Sequence, residues 1–339
     1  MQQEPVARAA VIGGGSFGTA LATVLARKNA QVNVWVRDAA QAELVNQSRE
    51  NKKYLPGITL HPNLTWSNDV AACVRGAEIV LLALPTQYLR HFLENNRSTL
   101  PTNVPLVLCA KGIEMGSLQT PYEILRDELP GKYARWMVVL SGPSFAKEIM
   151  SNLVTSCAVA AEDPVVAQLA QRMMSAREAN FKCYTTPDLL GCEVAGAMKN
   201  VLAIASGAAT GLGLDNNARA ALICRGLSEM KLLAHKMGSD GKCLSGLAGV
   251  GDLLLTCSSE MSRNFTVGFR VAKGEKIADI LASSTSVAEG VATAKSIKEL
   301  CKKFDIELPL CSAAYSVLYE DADVLSTLRA LQDRPLTTE

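Results

Sequence analysis

One lysine stands inside the most apolar helical segment of the chain, where its type and position indicate proton-transfer chemistry. Lys199 is the only charged residue between Glu193 and Asp215. Burial of an ammonium group is costly and lowers its pKa, so that such a lysine can exchange a proton with a carbonyl or alcohol oxygen. The alternative is a lysine whose stem crosses an apolar surface while its charge stays in water. Asn200 follows directly and is expected either to polarise a carbonyl group or to form a hydrogen bond between helices.

A glycine-rich segment further along the chain ends in an acidic residue. It reads Gly-Leu-Ala-Gly-Val-Gly from Gly246 to Gly251, and Asp252 follows. Because glycine has no side chain, we expect a loop whose backbone approaches a ligand closely. Asp252 is expected to hold either Lys199 or a hydroxyl group of the substrate.

The triplet Ser262-Arg263-Asn264 carries side chains of the kind that bind a phosphate. The guanidinium of Arg263 is a planar fork with several donors, which suits phosphate oxygens. Its two neighbours add neutral donors. Many surface loops carry a similar triplet, so this interpretation depends on the other motifs.

The first twenty residues contain a strand, a glycine-rich turn and a helix in succession. The apolar run ends at Ile12, glycines stand at 13, 15 and 18, and a helical pattern follows. Gly13 permits the tight turn, Gly15 lets the backbone approach a pyrophosphate, and Gly18 lets the helix pack on the strand. The helix then directs free N–H groups and its positive dipole end at the phosphates. This context predicts a dinucleotide-binding motif.

The residues after the second predicted strand bear on the choice of cofactor. Asp38 lies 20 residues after Gly18, where a carboxylate binds the ribose hydroxyls of NAD. Arg37 beside it suits the 2′-phosphate of NADP. We therefore expect use of NAD or NADP, with Arg37 near the adenine or its phosphate.

Two predicted strands end in residues that can bind a ligand. Lys111 follows the strand at 105–110, and Gly142 and Ser144 follow the strand at 137–141. Ligands of open parallel sheets bind outside the carboxyl ends of the strands. We expect these residues to contact the substrate, although a solvated lysine and a plain turn would also fit.

The composition excludes several classes of protein. The net charge is +1, with 48% hydrophobic and 20% charged residues among 339, which gives no basic surface for nucleic acid. The ten cysteines are scattered without a CxxC pair, which indicates a reducing compartment. None of the three histidines lies near the clusters above, and no metal-binding spacing occurs. Signal and peroxisomal motifs are absent, and residues 200–214 form too short an apolar run for a membrane span. We expect a cytoplasmic protein.

The chain is expected to have two domains. Predicted strands alternate with helices up to about residue 188, which is typical of a parallel sheet covered on both faces. Long helices dominate afterwards. The predicted fold class is α/β, with a Rossmann-type doubly wound sheet domain at 1–188 followed by an all-helical domain at 189–339.

The motifs together resemble those of the bacterial-type NAD(P)-dependent glycerol-3-phosphate dehydrogenase family, which some protists share. The matching motifs appear in family order over about residues 8–320 and lie at 13–20, 110–114, 141–148, 198–204, 217–223, 246–253 and 262–264. Two departures occur. Met198 replaces a commoner valine, and Phe265 and Thr266 follow the triplet, as in protist members.

The resemblance implies a role for individual residues. The catalytic residues would be Lys199 as acid–base, with Asn200, Asp252 and Thr256. The glycerol phosphate site would comprise Lys111, Gly142, Ser144, Lys199, Asp252, Ser262, Arg263 and Asn264, with the last two on the phosphate. The dinucleotide would contact Gly13, Gly15, Ser16, Phe17, Gly18, Arg37, Asp38, Lys111, Ala146, Arg263, Val287 and Glu289. The resemblance implies no metal.

The resemblance also implies the reaction, a reversible hydride transfer between NAD(P)H and dihydroxyacetone phosphate that gives sn-glycerol 3-phosphate. We expect a small-molecule substrate and a homodimer, with no nucleic acid and no membrane span. Two alternatives stay open. One is a two-domain dehydrogenase of the 6-phosphogluconate or ketopantoate type, which would not need both the glycine-rich segment and the Ser-Arg-Asn triplet. The other is a dinucleotide sensor without catalysis.

Overall fold

The computed structural model describes residues 6–283 and 287–335. The chain forms two compact units. The first comprises Met1–Lys111 and Thr120–Glu193, and the second comprises Gly112–Gln119 and Val194–Glu339. The sequence predicts one boundary near residue 188, whereas a short stretch of the first half joins the second unit. Gly112–Gln119 packs with the second unit because the Ser296 hydroxyl donates to the carbonyl of Ile113 at 3.0 Å and the Ile113 side chain is fully buried.

The first unit contains a sheet of eight strands in the order β3-β2-β1-β4-β5-β6-β7-β8. The strands are β1 (Arg8–Ile12), β2 (Gln31–Trp35), β3 (Leu64–Ser67), β4 (Ile79–Leu82), β5 (Leu106–Leu108), β6 (Met137–Ser141), β7 (Thr155–Ala160) and β8 (Phe181–Thr186).

The sheet is not wholly parallel, which corrects the prediction from the sequence. β6 and β7 pair in the antiparallel direction, with Leu140 opposite Val159, and β7 and β8 are parallel to each other. The last two strands therefore run opposite to the first six. A continuous apolar run marks a buried strand in either direction, so the pattern does not reveal its orientation.

Seven α-helices accompany the sheet in the described part of the first unit, which gives the Rossmann-like architecture that we predicted. They are α1 (Ser16–Arg27), α2 (Ala39–Ser48), α3 (Val70–Val74), α4 (Thr86–Asn96), α5 (Pro121–Glu128), α6 (Ala146–Met150) and α7 (Pro164–Met174). α1 begins at Ser16, three residues earlier than the sequence suggests, and the nine consecutive residues from Gly18 to Ala26 are all buried. That burial fixes its N-terminus at the end of β1.

Helices alone make up the described part of the second unit. They are α8 (Leu189–Gly211, which begins in the first unit), α9 (Asn216–Lys236), α10 (Asp252–Cys257), α11 (Arg263–Ala272), α12 (Ile277–Ala282), α13 (Glu289–Phe304), α14 (Pro309–Tyr319) and α15 (Val324–Gln332). The sequence did not predict α10, α11 or α15. Side-chain N-caps begin two of these helices. In α11, the Ser262 side chain accepts a hydrogen bond from the N–H of Phe265, and in α15, the Asp323 side chain accepts one from the N–H of Ser326.

α8 is long and apolar enough to cross a membrane by length and composition, and 89% of its most apolar window is buried inside the protein. It packs against α11 through glycines. A Cβ added to Gly207 would lie 1.9 Å from the carbonyl oxygen of Phe265, and one added to Gly268 would lie 1.8 Å from that of Ile204. The two backbones therefore touch, which brings the residues of both helices close together.

The ten cysteines are free thiols, and all but Cys224 are buried. In residues 6–283 and 287–335, no group of three or more His, Cys, Asp or Glu side chains is placed to hold a metal ion.

Candidate active site

The ammonium group of Lys199 is buried and paired with a carboxylate. Lys199 is 8% exposed and Asp252 is 2% exposed. Nζ of Lys199 lies 2.9 Å from Oδ1 of Asp252. This geometry excludes the alternative in which the lysine keeps its charge in water, and it selects Lys199 from the two partners expected for Asp252. Because a buried charge requires a counter-charge, the pair holds a proton donor within the apolar unit.

Thr256 lies one helical turn after Asp252 in α10 and also contacts the ammonium group of Lys199. Its Oγ1 accepts a hydrogen bond from Nζ of Lys199 at 2.9 Å and donates to the backbone oxygen of Asp252 at 2.6 Å. The hydroxyl is thereby oriented by its own helix. This position suits the supporting role that the resemblance implies.

Asn200 and Asn264 connect three helices. Nδ2 of Asn264 donates to Oδ1 of Asn200 at 2.9 Å, and Oδ1 of Asn264 accepts from the N–H of Gly290 at 3.0 Å. Nδ2 of Asn200 also donates to the carbonyl of Gly196 within α8 at 3.3 Å. The interhelical hydrogen bond that we expected as one alternative for Asn200 is therefore present, and the neighbours of Lys199 and Arg263 are bonded to each other.

The Ser-Arg-Asn triplet begins α11 rather than lying in a loop. Ser262 is the buried N-cap, and Arg263 is the first residue of the helix, with an exposed side chain. A helix N-terminus carries a partial positive charge that adds to that of the guanidinium. The arrangement can bind a phosphate.

The glycine-rich segment differs from the expected ligand-binding loop. Leu247–Gly251 form a π-helical turn that leads into α10. A Cβ on Gly249 would lie 2.1 Å from the carbonyl oxygen of Leu244. Gly249 therefore serves internal packing, which orients Asp252 towards Lys199. Single π turns of this kind are frequent at functional sites.

The predicted residues at the strand ends of the first unit meet at one point. Nζ of Lys111 donates to the carbonyl of Gly142 at 3.2 Å, and the Ser144 hydroxyl donates to the same oxygen at 2.9 Å. Nζ of Lys111 also lies 5.8 Å from the ring centre of Phe17. Gly142 has a φ of +142°, and a side chain there would strike the backbone of Cys157. The cluster presents a lysine beside the glycine turn.

The glycine turn has the shape that a dinucleotide pyrophosphate requires. Gly13 has a φ of +113°, and a Cβ on Gly18 would lie 1.9 Å from the oxygen of Gly13, so both are needed for packing. A Cβ on Gly15 would meet no atom within 4 Å. Backbone at the start of α1 is thus open to a ligand, and its first N–H groups lack partners within the helix. These residues fit NAD or NADP.

The two residues considered for cofactor choice are both exposed after β2. Asp38 is the N-cap of α2, and its Oδ1 accepts from the N–H of Ala40 at 2.9 Å. Arg37 precedes it. Asp38 therefore caps a helix, whereas the side chain of Arg37 is exposed.

The remaining predicted cofactor residues lie in both units. In the first, the Ser16 hydroxyl donates to the carbonyl of Tyr54 at 3.1 Å, and Ala146 begins α6. In the second, Val287 is 44% exposed and Glu289 begins α13.

Comparison with known proteins identifies the family. Residues 8–167 match the N-terminal model, and residues 188–329 the C-terminal model, of NAD-dependent glycerol-3-phosphate dehydrogenase. The chain is 49% identical over 337 residues to the glycosomal NAD⁺ glycerol-3-phosphate dehydrogenase of Trypanosoma brucei rhodesiense, with 98% of this chain and 94% of that protein covered. The chain belongs to the NAD-dependent glycerol-3-phosphate dehydrogenase family.

Bacterial members of the glycerol-3-phosphate dehydrogenase family are also similar. The NAD(P)⁺ enzyme of Leptospira biflexa is 43% identical over 329 residues, which cover 97% of this chain and 98% of that protein. The 2.1 Å crystal structure of the Coxiella burnetii enzyme superposes with a TM-score of 0.90 at 32% identity, over 97% of this chain and 99% of that one. The similarity thus confirms both the recognised family and the fold class.

One buried carboxyl group of this glycerol-3-phosphate dehydrogenase family member was missed by sequence reasoning. Oε2 of Glu193 accepts from the N–H of Tyr122 at 2.9 Å at the start of α5, and the Thr120 side chain also donates to this carboxyl. Oε1 has no partner in the described structure. Burial raises the pKa of Glu193 to about 8. The sequence offered one indication of a special role for Glu193, which is the last charged residue before the apolar run that contains Lys199.

Proposed function

We propose that this chain catalyses the reversible reduction of dihydroxyacetone phosphate to sn-glycerol 3-phosphate with NADH or NADPH. The buried cluster of Lys199, Asp252 and Thr256 is the observation that carries the proposal. The hydrogen bond between Asn200 and Asn264 joins the neighbours of the proton donor and of Arg263. This bond supports the proposal that a proton donor and a phosphate anchor act close together in one unit, as a phosphorylated carbonyl substrate requires.

Lys199 acts as the acid in the direction of reduction. NADH or NADPH, when bound at the glycine turn, would supply the hydride for the carbonyl carbon. Nζ of Lys199 gives a proton to the carbonyl oxygen, so that no alkoxide charge accumulates. Asp252 keeps the ammonium form available, and Thr256 orients it. In the reverse direction, the neutral amine accepts the proton of the alcohol.

Arg263 binds the phosphate, away from the reacting carbon. Its charge-assisted hydrogen bonds supply binding energy that orients the carbonyl group towards Lys199. Ser262 and Asn264 complete this end of the site. Lys111, Gly142 and Ser144 are proposed to contact the substrate, and Gly13, Gly15, Gly18, Ser16, Phe17, Arg37, Ala146, Val287 and Glu289 the dinucleotide.

The activity can be tested by following the oxidation of NADH and NADPH with dihydroxyacetone phosphate. Ketopantoate and, with oxidised cofactor, 6-phosphogluconate serve as competing substrates. We expect turnover with dihydroxyacetone phosphate alone. Turnover of either competitor at a higher kcat/KM would favour the corresponding dehydrogenase, and binding of NADH without any turnover would favour the sensor.

We also propose that the protein is a cytoplasmic homodimer whose product feeds glycerophospholipid synthesis and redox balance. The composition, the free cysteines and the burial of α8 support the cytoplasmic location. The trypanosomal relative is named glycosomal. Light scattering coupled to size exclusion tests the dimer, and a fluorescent fusion distinguishes cytoplasm from organelle.

A further inference from the structure

The side chain of Asn51 forms a hydrogen bond with the glycine turn of the first unit, although Asn51 belongs neither to the glycine motif nor to the proposed site. Asn51 lies in the loop after α2 and is fully buried. Its Nδ2 donates to the carbonyl of Gly14 at 3.0 Å and to Oγ1 of Thr19 at 2.9 Å. One amide group thus contacts both the turn and the first part of α1.

The direction of these hydrogen bonds is fixed. A carbonyl oxygen only accepts, so the nitrogen of the Asn51 amide must face Gly14. The Thr19 hydroxyl then accepts from the same nitrogen, and its own hydrogen is left to donate to the carbonyl of Gly15 at 2.8 Å. Asn51 and Thr19 therefore form one directed chain that ends on the turn.

Asn51 forms these bonds although its other amide atom is left unsatisfied. Oδ1 is buried and has no hydrogen-bond partner among the described residues. An unsatisfied buried acceptor costs stability. The amide nitrogen of Asn51 therefore binds Gly14 and Thr19 while its amide oxygen stays unsatisfied.

Two further contacts support the turn from the same stretch of chain and from β3. The Ser16 hydroxyl donates to the carbonyl of Tyr54 at 3.1 Å. The ring of Trp66 lies so close to Gly14 that an added Cβ would be 2.2 Å from it. Together with Asn51 and Thr19, which donate to the carbonyl oxygens of Gly14 and Gly15, these contacts fix the turn.

We propose that Asn51 is a positioning residue for the dinucleotide. Through Gly14 and Thr19, it turns the carbonyl oxygens of the glycine turn away from the ligand, so that the N–H groups at the start of α1 face the pyrophosphate. A carbonyl oxygen directed at the phosphates would repel them. The inference rests on the proposed function only in taking the ligand to be a pyrophosphate-containing dinucleotide.

Asn51→Leu and Thr19→Val test the proposal with little change of volume or charge, because the first removes the bonds of Asn51 to Gly14 and Thr19 and the second removes the bonds of Thr19 to Asn51 and Gly15. Asn33→Leu is the matched control, since Asn33 in β2 also donates to a backbone carbonyl, that of Cys73 at 3.2 Å, and does not contact the turn. The dissociation constants of NADH and ADP-ribose are measured by titration, alongside the melting temperature, kcat, and the KM of dihydroxyacetone phosphate at saturating NADH.

We expect the dissociation constants of NADH and ADP-ribose to rise about tenfold in both test variants, the effect of losing one or two hydrogen bonds. The double variant should lose less than the sum of the two single losses, because the bond between Asn51 and Thr19 is removed in both single variants. The kcat and the KM of dihydroxyacetone phosphate at saturating NADH should stay within about twofold.

Unchanged NADH binding in a folded Asn51→Leu or Thr19→Val protein would overturn the proposal, as would an equal loss in Asn33→Leu. If Asn51→Leu does not fold, Thr19→Val alone decides. Wild-type protein that binds NADH but does not reduce dihydroxyacetone phosphate would refute the proposed function and leave this binding test intact.

Discussion

The ammonium nitrogen of Lys199 lies 2.9 Å from the carboxylate of Asp252, and both groups are nearly removed from water. The two residues come from α8 and α10, so the packing of these helices sets their distance. Removal of either partner leaves the other charge buried and uncompensated, which costs about 3–5 kcal/mol in comparable pairs. Variants of this pair must therefore be assessed for folding as well as for activity.

Lys199→Ala should lower kcat by about 10²–10⁴-fold, the usual contribution of a general acid. NADH binding should be retained, because the glycine turn lies in the first unit. Steady-state rates and NADH titration measure the two effects, and the exposed Lys236→Ala in α9 is the control. A near-normal kcat in Lys199→Ala would show that this lysine is not the acid.

Arg263→Ala should weaken use of dihydroxyacetone phosphate by about 2–4 kcal/mol in kcat/KM, the scale of a lost charge-assisted pair. Unphosphorylated dihydroxyacetone should be affected much less. Arg270→Ala is the matched control on the same helix, where Arg270 pairs with Glu275. Equal losses on both substrates would mean that Arg263 does not bind the phosphate.

Arg37→Ala should raise the KM of NADPH more than that of NADH, because the 2′-phosphate would lose its cation. Asp38→Ala should instead cost about 1 kcal/mol of stability, since it removes the cap of α2. Initial rates with the two cofactors and thermal melting separate these effects. If the preference for NADPH over NADH is the same in Arg37→Ala as in the wild type, Asp38 becomes the residue to examine for cofactor choice.

Glu193→Gln should make stability less dependent on pH. Burial raises the pKa of Glu193 to about 8 from an ordinary value of 4.5, so the folded protein keeps a proton that the unfolded chain releases between these values. The wild-type free energy of unfolding should therefore fall relative to Glu193→Gln, by up to about 1.4 kcal/mol per pH unit, as pH rises from about 5 to 8.

Urea denaturation at several pH values measures this difference, with the exposed Glu178→Gln as the control. A constant difference between wild type and Glu193→Gln across the range would mean that Glu193 is ionised in the folded protein.

The sequence predicted the fold class because strong periodic patterns determine it, and it failed where the pattern carries no information. β3 was missed since Leu64–Ser67 contains only two apolar residues, Leu64 and Trp66, and therefore no apolar run. The antiparallel direction of β7 and the association of Gly112–Gln119 with the second unit depend on tertiary packing. Neither can be read from apolar runs.

The candidate site was partly predictable. Lys199 stood out because an isolated charge in an apolar helix is unusual, and it was one of the two partners expected for Asp252. Asn51 gave no signal, since its function depends on a contact with Gly14, 37 residues away. The sequence does not distinguish Asn51 from other polar loop residues, because its hydrogen-bond partner is known only from the fold.

The glycine contacts between α8 and α11 have a consequence for substrate choice. Gly207 and Gly268 place each backbone directly on the other, so no side chain can repack to change the separation. Lys199 and Arg263 stand on these two helices. The distance between the proposed acid and the proposed phosphate anchor is therefore set by backbone contact between α8 and α11. A methyl group added at either glycine would push the two helices apart and change that distance, although no proposed ligand-binding residue would have changed.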